Sequence, residues 1–171
     1  MNDNMLGKDE LLKHLDDNDI PYSFEEHDSV LNMTESGKLD LALDGARCKN
    51  LLLQDKKGSY FLVVTTATKS LDLLAAAGTL GSKRLSFASS DKLVELLGIR
   101  TGSLSPLALI NDEAKRVRLI VDSELKQEST FLLHPLENNS SVSISRQAFD
   151  SFLASIGHSA EWMSLTDRAG A

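Results

Sequence analysis

Two strand-like runs joined by a short charged turn constrain the fold of this chain more than any other feature. The first run is NLLLQD, residues 50–55, the second is SYFLVVTT, residues 59–66, and the polar KKG lies between them. Apolar runs of this length around a turn that contains glycine are typical of a β-hairpin. We therefore expect a β-sheet at the centre of the protein, with this hairpin as part of it.

The rest of the chain consists of short segments with helical or strand-like patterns. Apolar spacing, capping residues and glycine stops predict helices over residues 7–18, 32–45, 70–81, 91–98 and 145–157. Strand-like runs lie at 20–27, 83–89, 107–112, 116–122, 129–134 and 141–145. The runs 107–112 and 116–122 adjoin the polar NDEAK, and we predict that they form a second hairpin.

These elements together indicate the fold class. Strands outnumber the helices that cross between them, and short turns join several neighbours. We therefore predict an α+β fold, a single domain in which a mixed, largely antiparallel β-sheet is flanked by helices. We expect residues 1–165 to form this domain and residues 166–171 to be a frayed C-terminal tail.

Composition and charge exclude several classes of protein. A chain of 171 residues can bury a core without a metal or a disulfide, and a single cysteine, Cys48, excludes an internal disulfide. A net charge of −7 argues against a protein that coats DNA or RNA, although a small basic patch on one RNA end remains compatible with it. The sequence has no signal-peptide pattern and no bilayer-long apolar stretch, so we expect a cytoplasmic protein without a membrane partner.

The common catalytic motifs are missing from the sequence. The four histidines have no metal-ligand spacing, and no glycine-rich phosphate loop opens a helix after a strand. No serine lies in a nucleophile elbow, and Cys48 fits a packed thiol better than a nucleophile. We therefore predict a protein with no metal and no cofactor.

Three short features remain, and each has a structural explanation when it is taken alone. Lys49, with Asn50 beside it, fits a solvated lysine that protects a strand edge. GSLSP, residues 102–106, fits a turn in which Gly102 allows positive φ. His134, which precedes a proline, fits a capping or core histidine. None of the three indicates a reaction by itself.

Taken together and in order, these segments resemble one family. KNLLLQDKKGSYFLVV, KRLSFAS, LVELLGIRTGSLSPLALIND and LLHPLENNSSVSIS are similar to segments of the YbaK/ProX family of aminoacyl-tRNA deacylases, which also occurs as the editing insertion of bacterial prolyl-tRNA synthetases. The first and last segments look most like the free-standing ProXp-ala branch. The similarity extends from about residue 7 to residue 163. The segment SVLNMTESGKLDLALDG departs from the alanine- and glutamate-rich helix that is usual there, which leaves the amino-acid preference open.

The resemblance implies a set of site residues. Lys49 matches the essential lysine of the family, Gly102 and Pro106 match the ends of its G-x-x-x-P loop, and His134 matches the histidine of its HP segment. The residues that it assigns are Lys49, His134 and Gly102 for catalysis and Asn50, Ser103 and Pro106 for substrate binding. Whether the ring or the backbone carbonyl of His134 acts stays open at this point.

The resemblance also implies a reaction. Water would attack the ester that joins alanine to the 3′ end of proline tRNA, with Lys49 holding a phosphate or offsetting charge on the oxyanion. The implied partners are the acceptor end of the mischarged tRNA and, as a second partner, prolyl-tRNA synthetase. Two alternatives are the same chemistry on cysteine or serine, and a catalytically silent tRNA-binding or regulatory module. Basic residues near the implied site that would meet the RNA are Arg47, Lys49, Lys56, Lys57, Lys69, Lys83 and Arg84.

Overall fold

The structure, a computed structural model, describes residues 5–27 and 43–168. In these residues the chain forms four α-helices, two 3-10 helices and eight β-strands. The helices are α1 (Lys8–Asp17), α2 (Leu73–Leu80), α3 (Ser90–Leu97) and α4 (Arg146–Ser155), with 3-10 helices at Pro106–Asn111 and Ser123–Gln127. The strands are β1 (Ser23–Glu26), β2 (Ala46–Gln54), β3 (Tyr60–Thr66), β4 (Ser86–Phe87), β5 (Val117–Asp122), β6 (Thr130–Leu133), β7 (Ser140–Ser145) and β8 (Ala160–Met163).

The eight strands form one mixed sheet in the order β1-β7-β6-β2-β3-β5-β8, with β4 beside β2. The pairs β1–β7, β6–β7, β2–β3 and β2–β4 are antiparallel. The pairs β2–β6, β3–β5 and β5–β8 are parallel. The predicted α+β fold, with a mixed and largely antiparallel sheet flanked by helices, is confirmed.

The predicted central hairpin is also confirmed. β2 and β3 pair antiparallel over seven residue pairs. Asp55 organises the turn, because its carboxylate accepts hydrogen bonds from the backbone amides of Lys57 and Ser59, both at 2.9 Å. Gly58 has φ of +83°, a conformation that glycine adopts without strain. The hairpin is thus held at its tip as well as along its strands.

β3 separates two apolar cores, because successive side chains of a strand point to opposite faces. Tyr60, Leu62 and Val64 belong to the larger core, which packs against α1, α3 and α4. Phe61 and Val63 belong to the smaller core, which packs against α2. We call the two sides of the sheet the large-core face and the α2 face. Burial on both faces explains why β3 is apolar without alternation.

The predicted second hairpin is wrong. Residues 107–112 do not form a strand, because Pro106–Asn111 is a buried 3-10 helix, and β5 pairs in parallel with β3 and β8 instead. Ser105 caps this helix by accepting a hydrogen bond from the Leu107 amide at 3.2 Å, and proline occupies the first helical position. A short apolar run cannot be assigned to strand or helix by periodicity alone, and here the Ser-Pro start signal favours the helix.

The other helix predictions have mixed outcomes. The helices predicted over residues 7–18, 70–81, 91–98 and 145–157 are all present, and each observed end lies within three residues of the predicted one. The helix predicted over 32–45 lies outside the described residues as far as residue 42, and residues 43–45 are not helical.

The predicted tail is hydrogen-bonded where the structure describes it. The Asp167 carboxylate accepts from the Ser70 amide at 2.9 Å, and the Arg168 amide donates to the Ser70 carbonyl at 2.7 Å. The predicted fraying therefore does not hold at residues 166–168, and residues 169–171 lie outside the described part. None of the described helices has the length and apolarity needed to span a bilayer.

Candidate active site

Lys49 lies near the middle of β2 and projects from the α2 face. Leu52 enters the large core and Leu53 enters the smaller one, so alternation along the strand places Lys49 on the side of Leu53. Its side chain is half-buried, and its directly opposed neighbour on β3 is Thr65. The ammonium donates a hydrogen bond to the backbone carbonyl of Lys69. Because this acceptor is neutral, the contact orients Lys49 without neutralising its charge.

Lys69 itself is held by a buried ion pair. Its ammonium lies 2.6 Å from the carboxylate of Asp122, and the Thr65 hydroxyl donates to the same carboxylate at 2.6 Å. Burial by itself would lower the pKa of Lys69, but the hydrogen bonds and charges of Asp122 and Glu124 outweigh burial and raise that pKa. The prediction that Lys69 meets RNA is therefore wrong, since its side chain is only 5% exposed and fully paired, and its carbonyl supports Lys49 instead.

The pairing of β2 with β6 brings Lys49 and His134 to the same level of the sheet. This pairing is parallel, and its last pair is Arg47 with Leu132. Lys49 and His134 each lie two residues beyond that pair, on chain segments that are about 4.8 Å apart where the strands pair. His134 directly follows the last residue of β6. The strand register thus brings Lys49 and His134 to one edge of β2.

The imidazole of His134 is held in its neutral form. Nδ1 lies 3.2 Å from the carbonyl oxygen of Ser140, so this nitrogen carries the proton. Burial lowers the pKa of His134, the hydrogen bond to Ser140 opposes that effect, and the charge of nearby His27 adds to the lowering. Nε2 is consequently a hydrogen-bond acceptor at neutral pH. The His27 ring centre lies 6.5 Å away, and His27 Nε2 is 2.8 Å from the hydroxyl of Ser141.

The GSLSP loop packs against the His134 segment through Ser105. The buried Ser105 hydroxyl donates a hydrogen bond to the carbonyl of His134 at 2.6 Å. Gly102 opens the loop with φ of +91°, which favours glycine. Ser103 is buried, and its amide donates to the Arg100 carbonyl at 3.1 Å. The GSLSP loop and the His134 segment are therefore joined, and Ser105 makes the contact.

Replacing Ser105 by alanine is expected to lower the free energy of unfolding by about 1–2 kcal/mol. The change removes the cap of the 3-10 helix and leaves the partly buried carbonyl of His134 without its donor. Urea denaturation measures the loss. Ser103→Ala is the matched control, and equal losses in the two variants would contradict the role of Ser105.

Asn50 does not converge with Lys49 and His134. It follows Lys49 on β2 and lies opposite Val64, so it points to the large-core face. Its Nδ2 lies 3.5 Å from the carbonyl of Cys48, whereas its buried Oδ1 finds no hydrogen-bond partner among the described residues. An unpaired buried acceptor costs free energy, so this oxygen needs a donor from elsewhere.

The outer edge of β2 is open beside Lys49. On this edge β2 pairs with β6 at Ala46 and Arg47 and with β4 at Leu53 and Gln54. Between these pairings, residues 48–51 face no other strand within the described ranges. We call this opening the β2 gap. The end of β6, which leads into His134, borders one side of it, and β4 borders the other.

Cys48 is not placed for nucleophilic chemistry. It is buried in the large core, and burial together with the charge of Glu128 raises the pKa of its thiol to about 12. The thiol is therefore protonated at neutral pH, and a protonated thiol is a poor nucleophile. Within residues 5–27 and 43–168, no group of three or more His, Cys, Asp or Glu residues is arranged to hold a metal ion.

Comparison with known proteins decides the family. Residues 38–152 match the sequence profile of the aminoacyl-tRNA editing domain. The chain is also 33% identical over 155 residues to the prolyl-tRNA editing protein ProX of Acetoanaerobium sticklandii, and the match covers 90% of this chain and 94% of that protein. This chain belongs to the aminoacyl-tRNA editing domain family. The resemblance to the YbaK/ProX family is thereby confirmed.

Further relatives of this editing domain agree in sequence and in fold. Prolyl-tRNA synthetase associated domain-containing protein 1 of Xenopus laevis is 32% identical over 156 residues, with 88% of this chain and 92% of that protein covered. A crystal structure of a candidate trans-editing enzyme for prolyl tRNA synthetase has the same fold, with a TM-score of 0.70 over 96% of this chain and 100% of that one, at 17% identity. The editing domain is an aminoacyl-tRNA hydrolase, as predicted, and its substrate is a tRNA.

Three residues of the candidate site were not singled out from the sequence. Ser105 had a local signal, since serine before proline is a helix start. Asp122 had none, because its partner Lys69 is 53 positions away in the chain. Nothing in the sequence pointed to His27 either, because its neighbour His134 is distant in the chain and follows a different strand, β6.

Proposed function

We propose that this protein is a trans-editing deacylase that removes alanine mischarged onto proline tRNA, using a positioned water and no covalent intermediate. The observation that supports the proposal most directly is the strand register, which brings Lys49 and a neutral His134 to the same level of the sheet beside the β2 gap. The name of the Acetoanaerobium sticklandii relative supports prolyl tRNA as the substrate class. The names of the other relatives suggest prolyl-tRNA synthetase as a functional partner.

The nucleophile in this proposal is a water bound to Nε2 of His134. The backbone carbonyl of His134 already accepts the buried Ser105 hydroxyl, so the ring is the group left to act. As water attacks the ester carbonyl, Nε2 accepts one of its protons. When the tetrahedral intermediate breaks down, the C–O bond to the ribose breaks and the proton passes to the departing ribose oxygen. The products are free alanine and tRNA with an intact 3′ end.

Lys49 supplies positive charge where the oxyanion develops. Its ammonium hydrogen-bonds only a neutral carbonyl among the described residues, so its charge is free to attract a carbonyl oxygen or a terminal phosphate. An aminoacyl ester is already activated, and positioning with charge stabilisation is enough to accelerate its hydrolysis. A covalent nucleophile is unnecessary, which fits the inert thiol of Cys48.

The remaining assigned residues bind the substrate in this proposal. Gly102 has no side chain, so the loop backbone can approach the amino acid closely. Ser103 lines the same loop, and Pro106 keeps it rigid by starting the 3-10 helix. Asn50 points to the other face of β2, so its unpaired Oδ1 would accept a hydrogen bond from an RNA hydroxyl that enters the β2 gap from the large-core face.

Charging proline tRNA separately with alanine, cysteine, serine and proline tests the proposal. We expect the alanyl ester to be hydrolysed fastest, by about tenfold over the seryl and cysteinyl esters, because one extra heavy atom in a tight apolar site costs ~1–3 kcal/mol. The prolyl ester should be stable. If no ester is hydrolysed faster than in buffer, the protein is not a deacylase of proline tRNA. If the seryl or cysteinyl ester is hydrolysed faster than the alanyl ester, that ester is the substrate instead.

A further inference from the structure

An exposed aromatic side chain lies beside the β2 gap. Phe87, on the two-residue strand β4, is 61% exposed. It pairs directly with Leu53, and Leu85, two residues earlier, is buried in the smaller core. Directly opposed residues and alternate residues of a strand share a face. Phe87 therefore projects from the α2 face, the same face as Lys49.

The separation of Phe87 from Lys49 matches a short piece of single-stranded nucleic acid. Lys49 precedes Leu53 by four residues, and a strand rises about 3.3 Å per residue, so Phe87 lies roughly 13 Å along β2 from Lys49. Stacked nucleotides rise about 3.4 Å each, and an unstacked chain reaches further. An RNA whose terminal ester lies between Lys49 and His134 would pass its preceding nucleotides over β4.

Positive charge is concentrated around Phe87. The Ser82 hydroxyl donates to the carboxylate of Asp55 at 2.8 Å, which holds the segment before β4 against the turn of the hairpin. The exposed cations that this contact brings together are Lys56, Lys57, Lys83 and Arg84. None of them forms an ion pair with a residue that the structure describes. In a chain of net charge −7, such a cluster favours contact with a polyanion.

We infer that Phe87 is a stacking platform for a base near the unpaired 3′ end of the RNA, and that Lys83 and Arg84 bind the adjacent phosphates. Aromatic side chains stack on any base, and basic residues beside them follow the backbone, which is the general pattern of single-strand recognition. The inference takes the position of the ester from the proposed function. It adds the path that the RNA takes over β4 and assigns Phe87 to stack on one of its bases.

A protein partner fits this surface less well. A stable protein interface needs an apolar patch of several side chains. Among the described residues, the other exposed large hydrophobic side chains are Leu74 on α2 and Val94 on α3. Val94 lies on a helix that packs against the large-core face, so only Leu74 shares the α2 face with Phe87, and two side chains are fewer than such a patch needs. One aromatic ring among four cations matches a base and its phosphates.

The test compares two alanyl esters that differ only in their RNA. One is alanyl tRNA, and the other is alanine esterified to adenosine alone, which has no preceding nucleotide. Phe87→Ala is expected to lower kcat/KM about tenfold on the tRNA ester and to leave the adenosine ester unchanged, because loss of one base stack costs about that factor. Phe87→Trp should retain the parent rate, and Phe87→Leu should behave like Phe87→Ala. Val94→Ala is the matched control and should match the parent on both esters.

A binding measurement separates this inference from the proposed function. A fluorescent, uncharged oligonucleotide with the sequence of the tRNA 3′ end should bind Phe87→Ala about tenfold more weakly than the parent. If the parent hydrolyses no ester but this difference in Kd is found, the proposed function fails and the platform stands. An unchanged Kd in Phe87→Ala and Phe87→Leu overturns the platform, as does an equal loss on the adenosine ester, and an unchanged Kd would direct attention to a protein partner for Phe87.

Discussion

Replacing Lys49 by methionine is expected to lower kcat for the alanyl ester ~10²–10³-fold, the usual effect of removing one group that stabilises an oxyanion. Methionine keeps most of the apolar stem of lysine and removes only the cation. The Lys69 carbonyl loses one hydrogen bond, which costs about 1 kcal/mol of stability at most sites. The free energy of unfolding of Lys49→Met should therefore stay close to that of the parent, whereas its kcat should fall by the factor given above. Single-turnover kinetics with alanyl tRNA, together with a urea melt, measure both quantities.

Lys13→Met is the matched control for this substitution. Lys13 is exposed on α1, away from Lys49 and from the cations around Phe87, and its ammonium pairs with the exposed carboxylate of Asp17 at 2.7 Å. The control should keep kcat within about twofold, because surface substitutions away from a site rarely change function or stability strongly. If Lys49→Met is as active as Lys13→Met, Lys49 is not a catalytic residue. Lys49→Arg should recover only part of the rate, because a planar guanidinium does not fit a site shaped for an ammonium.

Replacing His134 by glutamine is expected to lower kcat ~10²-fold or more and to abolish the acidic limb of the pH profile. In the parent, the active form of His134 is the neutral one. Burial lowers the pKa of His134, so the neutral ring persists below the ordinary pKa of 6.5. The rate should stay constant from neutral pH to below 6.5 and fall only as pH drops through the lowered pKa. A glutamine has no group that titrates in this range, so its residual rate should lack that fall.

The same shift makes a signed prediction for stability. Because the folded pKa of His134 lies below its unfolded value, the unfolded chain binds more protons between the two values. The contribution of His134 to the free energy of unfolding is complete above its ordinary pKa of 6.5. It is lost as pH falls through the lowered pKa of the folded protein. His14→Gln is the control, since His14 is half-buried on α1, away from the candidate site, and contacts the Ser155 hydroxyl. If His134→Gln and the parent lose activity over the same acidic range, His134 is not the base.

Local signals predicted much of the fold. The hairpin followed from two apolar runs and a glycine turn, and the predicted helix ends at Gly98 and Ser145 coincide with an observed C-cap and N-cap. The second hairpin failed because pairing in this half of the sheet is non-local. β5 lies in parallel between β3 and β8, and parallel neighbours are joined through long connections that leave no turn signal.

The site depended on the resemblance, because its residues are distant in the chain. No periodicity connects Lys49 with His134, and only the register of β2 against β6 brings them together. The role given to Lys69 failed because the sequence does not show that Asp122 and Glu124 surround it. The divergence of Lys49 and Asn50, by contrast, was available from the sequence, since adjacent residues of a strand cannot share a face.

The narrow junction between β2 and β6 has a mechanical consequence. Among the described residues, only two residue pairs, Ala46 with Phe131 and Arg47 with Leu132, join the half of the sheet that holds Lys49 to the half that ends in His134. A shift at this junction would change the separation of Lys49 and His134. The large core contains residues of both halves, so its packing, more than strand pairing, keeps the two residues at a fixed distance.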